Sequence, residues 1–189
     1  SKDNQRPKFT VKDALDNPQR HPDRIILPPF TYAQAREKIE QRWPAAVKYI
    51  KEQGLNEFFE GTVDDVGIVV QGGLYNNSMR ALERLGCADT FGNSEIPIYV
   101  LNVTYPLIDE QFIEFCVGKR SILIIEEGQP DYIEQAVNSI LRKADVQTRV
   151  SGKDVLPMAG EYTGAVLSEG IEKYLRKWVP KALEGKSVP

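Results

Sequence analysis

Two neighbouring carboxylates, Glu126 and Glu127, follow the apolar run Ser121-Ile-Leu-Ile-Ile125 and are the first residues that chemistry would use. Side chains alternate across a strand end, so one of the two faces inward and needs a donor. The inward carboxylate accepts backbone amides, pairs with an arginine, or is presented to another subunit. An acid–base pair is the weaker reading, because the chain shows no nucleophile or metal ligands beside it. Gly72-Gly73 opens a helical stretch and poses a second question. Free amides at a helix start can cradle a phosphate, yet Gln71-Gly-Gly-Leu-Tyr-Asn76 has neither the dinucleotide glycine spacing nor a Gly-Lys-Ser/Thr sequence. A tight turn is the plainer account. Tyr75 and Tyr105 stand beside these turns, either as an aromatic contact surface or as core filling, and Tyr105-Pro106 is a candidate cis bond.

Other chemistries are poorly provided for. The chain has two cysteines, Cys87 and Cys116, and one histidine, His21. A zinc site or an iron–sulfur cluster needs about four ligands, so neither is expected from this chain, and no catalytic or cofactor-binding residue is assigned. Residues 63–189 carry 13 basic and 18 acidic side chains, with no basic stripe to follow a phosphate backbone, so nucleic acid is not an expected partner. No apolar run approaches the ~20 residues that cross a bilayer. The sparse cysteines suit a reducing cytosol, and no signal or transit sequence is visible, so a cytoplasmic setting is expected. Ser1 rather than Met stands first, as in a piece of a longer chain.

The elements that must position the turns follow from pattern. Val66-Gly-Ile-Val-Val70, Ile96-Pro-Ile-Tyr-Val-Leu101, Ser121–Ile125 and Gln147–Val150 read as four strands. Between them lie helical stripes: Tyr75, Met79, Leu82 and Leu85 up to Gly86; Phe112, Ile113 and Cys116; and Ile133, Ala136, Val137, Ile140 and Leu141, with Pro130 at the first helical position. Ser168 is a candidate cap for a last helix carrying Ile171, Tyr174, Leu175 and Trp178. Continuous apolar strands separated by amphipathic helices predict an α/β fold, a three-layer parallel sheet with helices on both faces. In such sheets the turns after the strands share one rim. That rim collects Gly72, Gly73, Tyr75, Asn76, Asn77, Tyr105, Pro106, Glu126, Glu127 and Gln129, with Glu134 just beyond.

Upstream, prolines at 7, 18, 22, 28 and 29 make residues 1–29 an extended arm, either a tail or an inter-domain strap. A long helix follows. Thr31 and Gln34 fit a capping box, Tyr32, Arg36, Ile39, Trp43, Val47 and Ile50 form its stripe, Pro44 predicts a kink, and Gly54 stops it. Trp43 reads as a packing anchor in preference to a ligand contact. The expected division is 1–62 for arm and linker helix, 63–180 for the α/β domain and 181–189 for a linker severed from something downstream.

At these turns the sequence resembles the transketolase-C-terminal-like internal domain of indolepyruvate ferredoxin oxidoreductases, members of the 2-oxoacid:ferredoxin oxidoreductase family. The likeness lies in residues 66–77, Asn102-Val-Thr-Tyr-Pro-Leu107 and Ile125-Glu-Glu-Gly-Gln-Pro-Asp-Tyr-Ile-Glu-Gln135. Residues 24–52 are similar to that family's linker helix, and Glu161-Tyr-Thr-Gly-Ala-Val-Leu-Ser-Glu169 to the segment before its final helix. Gln71-Gly-Gly and Gly128-Gln129 depart from the family pattern. The resemblance implies a parent enzyme that decarboxylates arylpyruvates on thiamine diphosphate and Mg, passes electrons through iron–sulfur clusters to ferredoxin, and forms an acyl-CoA. This domain would be non-catalytic and would brace its neighbours, with other domains or subunits as partners and ferredoxin and CoA as partners of the parent. The reading from another class is a free-standing flavodoxin-like module that binds a nucleotide or CoA at Gly72-Gly73.

Overall fold

The computed structural model describes residues 11–16, 18 and 21–186. By internal contacts the chain divides after Ala46 into two compact units. The first contains helix α1 (Val11–Asp16), a 3-10 turn (Pro22–Arg24) and helix α2 (Phe30–Glu37). Residues 1–29 are therefore not extended throughout: no proline lies between Pro7 and Pro18, and a helical turn forms where every amide remains a donor. Pro7 itself lies outside the described residues.

The long helix is built in three stretches: α2, a π-helical turn over Lys38–Arg42, and α3 (Trp43–Glu52). The π turn stands immediately before Pro44, so the widened turn absorbs the clash a proline ring makes with the preceding turn's carbonyls. Thr31 is not the cap. Pro29 takes that position, and the Gln34 amide donates to Asp23 O and Ile25 O, each at 3.1 Å, instead of closing a capping box. Gly54 ends the helix with φ +56°, a conformation that side chains with a Cβ resist.

The second unit runs from Val47 onward and holds a five-stranded sheet. Its strands are β1 (Glu57–Phe59), β2 (Val66–Gln71), β3 (Ile98–Leu101), β4 (Ser121–Ile125) and β5 (Arg149–Ser151), in spatial order β1-β3-β2-β4-β5. β3, β2, β4 and β5 pair in parallel, whereas β1 runs antiparallel to β3. The sheet is thus mixed rather than wholly parallel. β1 is three residues long, too short to show a period, and is fixed by packing: Phe58 stacks on Tyr99 of β3 at 4.3 Å. It also brings residues before 63 into the α/β unit. β5 starts later than expected, since Gln147 is drawn into a side-chain hydrogen bond with Asp145 at 2.8 Å.

Side chains alternate across β2, β3 and β4. Val66, Ile68, Val70, Ile98, Val100, Leu123 and Ile125 face a core closed by α4 (Tyr75–Arg84) and α7 (Gly164–Trp178). Val69, Tyr99, Leu101, Ile122 and Ile124 face a second core closed by α5 (Asp109–Cys116) and α6 (Tyr132–Lys143). Each fully buried Leu or Ile of this kind contributes about 1.5–3 kcal/mol. Three layers result. α7 begins four residues before Ser168: Thr163 is the cap and accepts the Val166 N–H, while Ser168 donates back to Gly164 O at 2.8 Å. Residues 180–183 form a 3-10 turn that buries Leu183, and Lys186 pairs with Glu95 at 2.7 Å, so the described part of the expected severed linker, up to Lys186, packs on the domain.

Candidate functional site: the rim of the parallel strands

β2 lies between β3 and β4, so the chain winds outward through β3 and then back across to β4. The winding reverses between β2 and β4, where open α/β sheets form their crevice. Here a side chain bridges it: Gln71 Oε1 accepts the Glu127 N–H at 3.0 Å.

Gly72–Leu74 make one 3-10 turn and Tyr75 starts α4. A Cβ on Gly72 would stand 2.4 Å from Asn102 Oδ1, so a side chain there would push the Asn102 amide aside. Gly73 and Asn76 are exposed and Asn77 is half-buried. Tyr75 does not lie open on the rim. Its ring stacks on Phe59 at 5.5 Å, and burial, with Glu57 nearby, pushes its phenol pKa up. After β3, Asn102 Nδ2 donates to Leu55 O at 3.0 Å and to Glu57 Oε1 at 2.8 Å, while Asn56 Oδ1 accepts the Val103 N–H at 3.0 Å. This exchange of amides ties the second turn to β1. Tyr105 is 68% exposed, Pro106 is buried, and the bond between them is cis.

Glu126 is turned inward and only 5% exposed. Its carboxylate accepts the N–H groups of Ile133 at 3.0 Å and Glu134 at 3.2 Å, the free amides at the start of α6. A carboxylate there meets the positive end of the helix dipole as well. Helix α6 begins at Tyr132 with Asp131 as its cap, two residues later than expected, and Gln129-Pro130 is cis, so Pro130 is not the first helical residue. Glu127 points the other way, and its Oε1 accepts the Tyr162 N–H. Gln129 is exposed.

Lys153 completes the rim. Its ammonium donates to Glu126 O at 2.5 Å, Gly128 O at 2.9 Å and Tyr162 OH at 2.7 Å, and Tyr162 donates in turn to Pro157 O at 2.7 Å. Glu134 Oε2 accepts the Lys153 N–H at 2.9 Å. Burial lowers the Lys153 pKa, although Glu126, Glu134, Asp131 and Glu127 pull it back up. Burial raises Glu134, and burial followed by the charges of Glu126, Glu127 and Glu134 pushes Tyr162 up to about 12. Lys153 and Tyr162 escaped the sequence reading. Lys153 sits in the turn after β5, and the rule that gathers three turns on one rim covers this fourth turn also. Tyr162 had no such signal.

The arrangement can lock turns together, and it holds its charges in internal bonds. Each Lys153 donor is engaged, and the Glu126 carboxylate is occupied by amides. Among the described residues no three His, Cys, Asp or Glu side chains are placed to hold a metal ion. Cys87 and Cys116 are buried in different cores, on opposite faces of the sheet. Burial raises both thiols, Cys116 to about 12. These residues do not fit an iron–sulfur cluster, which requires about four ionised thiolates within reach of one another.

The class is clear at this point: a doubly wound α/β domain with an antiparallel strand at one margin and an internally bonded rim. Residues 56–170 match the family model of the indolepyruvate ferredoxin oxidoreductase middle domain. The chain belongs to that family. It is 30% identical over 156 residues to the indolepyruvate oxidoreductase subunit IorA of Methanothermobacter thermautotrophicus, and 24% identical over the same length to that of Methanothermobacter marburgensis. Each match covers 81% of this chain but 24% of the relative, so the chain spans about a quarter of their length. A solved 2-oxoglutarate:ferredoxin oxidoreductase from Magnetococcus marinus aligns over 79% of this chain and 24% of its own, with 13% identity and a TM-score of 0.45. No helix among the described residues is long and apolar enough to cross a membrane.

Proposed function

We propose that this domain is a non-catalytic brace within a 2-oxoacid:ferredoxin oxidoreductase of the indolepyruvate type. In this reading the rim of the parallel strands packs against other domains or subunits, and thiamine diphosphate, Mg and iron–sulfur clusters reside elsewhere in the parent, which acts on arylpyruvates with ferredoxin and CoA in a cytoplasmic setting. One observation carries it: the Glu126, Glu127 and Glu134 carboxylates accept backbone amides, and the Lys153 ammonium donates to two backbone carbonyls and the Tyr162 hydroxyl. Outward the rim presents Tyr132, 69% exposed at the start of α6, together with the exposed Gln129 and Glu127. Exposed aromatic side chains on a rigid support are the usual anchors of protein contacts.

Nucleotide or CoA binding at Gly72-Gly73 has less support, because Asn102 occupies the space beside Gly72 that a ligand would take. Titration calorimetry of this chain with thiamine diphosphate and Mg²⁺ tests the brace. The expected outcome is no heat of binding, and a micromolar Kd would overturn it. In a full-length oxidoreductase carrying this domain, Tyr132→Asp should loosen assembly on size-exclusion chromatography without changing cofactor content per folded subunit.

A further inference from the structure

On the edge of the sheet opposite the rim, a shallow groove of about 380 Å³ is lined by Phe58, Phe115, Glu60, Asp64, Glu114 and Lys119, together with Phe59, Gly61 and Pro97. Its composition is unusual for a surface. Phe58 is 44% exposed; one ring face lies flat on Tyr99, with 7° between planes, which leaves the other side to the groove. Phe115 carries a cation already, the Lys119 ammonium 5.0 Å from its ring centre. Glu60, Asp64 and Glu114 are exposed and enter no ion pair among the described residues. The contrast with the next residue is instructive: Asp65 pairs with Arg120 at 3.0 Å, while Asp64 faces the groove.

We infer that this groove docks an arginine side chain from another polypeptide segment. A guanidinium is flat, so it can lie on the open face of Phe58, and its five donors reach outward in its own plane toward carboxylates. Three acids against one lysine leave the groove with a net charge of −2, complementary to such a group. A planar guanidinium can stack on the free side of Phe58 while its edge donors reach the carboxylates, and Lys119 over Phe115 shows the ring faces here accommodating positive charge. The inference concerns the edge away from the rim and does not depend on the bracing function.

The test is a 1H–15N titration of the 189-residue chain with acetyl-Gly-Arg-Gly-amide. The citrulline peptide of the same shape and free arginine serve as comparisons. Shifts centred on residues 58–61, 64, 114, 115 and 119 are expected with the arginine peptide and not with the citrulline peptide. Phe58→Leu should weaken the response about three- to fivefold, the range of an exposed cation–π contact. Glu114→Gln, an exposed change that leaves the core intact, should weaken it too and flatten its salt dependence. Equal shifts from the citrulline peptide, equal potency of free arginine, no shift at the solubility limit, or indifference to both substitutions would each overturn the proposal. None of these outcomes bears on the thiamine diphosphate titration.

Discussion

The Glu127 amide and the Gln71 side chain meet at 3.0 Å across the place where the sheet reverses its winding. The bond joins the end of β2 to the turn after β4 and spans the crevice in which many sheets of this topology hold a ligand. Adjacent to it, Glu126 anchors α6 and Lys153 draws the β5 turn toward the same place. The rim is therefore one bonded unit, and its energetics can be taken apart residue by residue.

Glu126→Ala leaves the Ile133 and Glu134 amides without a buried acceptor. Hydrogen bonds to charged groups contribute about 1.5–3 kcal/mol, and an anion at a helix start adds to this. Urea unfolding should show a loss of ~2–3 kcal/mol with an unchanged m-value, and Glu126→Gln, which keeps an acceptor, about half that loss.

Lys153→Met removes the donor shared by Glu126 O, Gly128 O and Tyr162 OH. Stability should fall by ~1–3 kcal/mol, the cost of leaving such acceptors unsatisfied. Tyr162→Phe alone should cost ~1 kcal/mol, and the double variant should lose less than the two together, with a coupling above ~0.5 kcal/mol.

Glu134 has its carboxyl pKa raised above the ordinary 4.5, first by burial and then, against the Lys153 N–H, by Asp131, Asp154 and Glu126. A raised carboxyl binds its proton more tightly in the folded state. Its contribution to stability is then fully present below pH 4.5 and is lost as pH rises through the folded value. Glu134→Gln removes that dependence while keeping an acceptor for Lys153. Relative to wild type, the variant should gain stability as pH is raised from about 4 to 7; a difference that stays flat across this window in denaturant titrations would refute the assignment.

Gly72→Ala should destabilise the protein with no ligand present. The new Cβ would displace Asn102 Oδ1 and with it the bonds to Leu55 and Glu57, at a cost of ~1 kcal/mol. Addition of nucleotides or CoA to either form should leave thermal unfolding unchanged. A shift in wild type that the variant lacks would restore the nucleotide reading.

Strands and helices of the α/β unit were legible where burial imposes a long period. The runs at Val66–Val70 and Ser121–Ile125 and the stripe from Ile133 to Leu141 carry their own pattern. β1 was not legible, because three residues cannot display a period and its place comes from the Phe58–Tyr99 contact. Cap positions failed for a related reason. Thr31, Pro130 and Ser168 each have suitable chemistry, but which residue opens a helix was decided by distant partners and by the backbone at Pro29, Asp131 and Thr163. At the rim, adjacency identified Glu126 and Glu127, whereas Lys153 and Tyr162 reach them over 27 and 35 residues of chain and leave no local trace.

The two outermost strands, β1 and β5, are also the two shortest, at three residues each. A stranger's chain aligning along either border finds only a few backbone donors and acceptors to zip against, too few to nucleate a growing stack. Growth of a longer sheet from either border is thereby disfavoured, whatever contacts the exposed aromatic side chains make elsewhere.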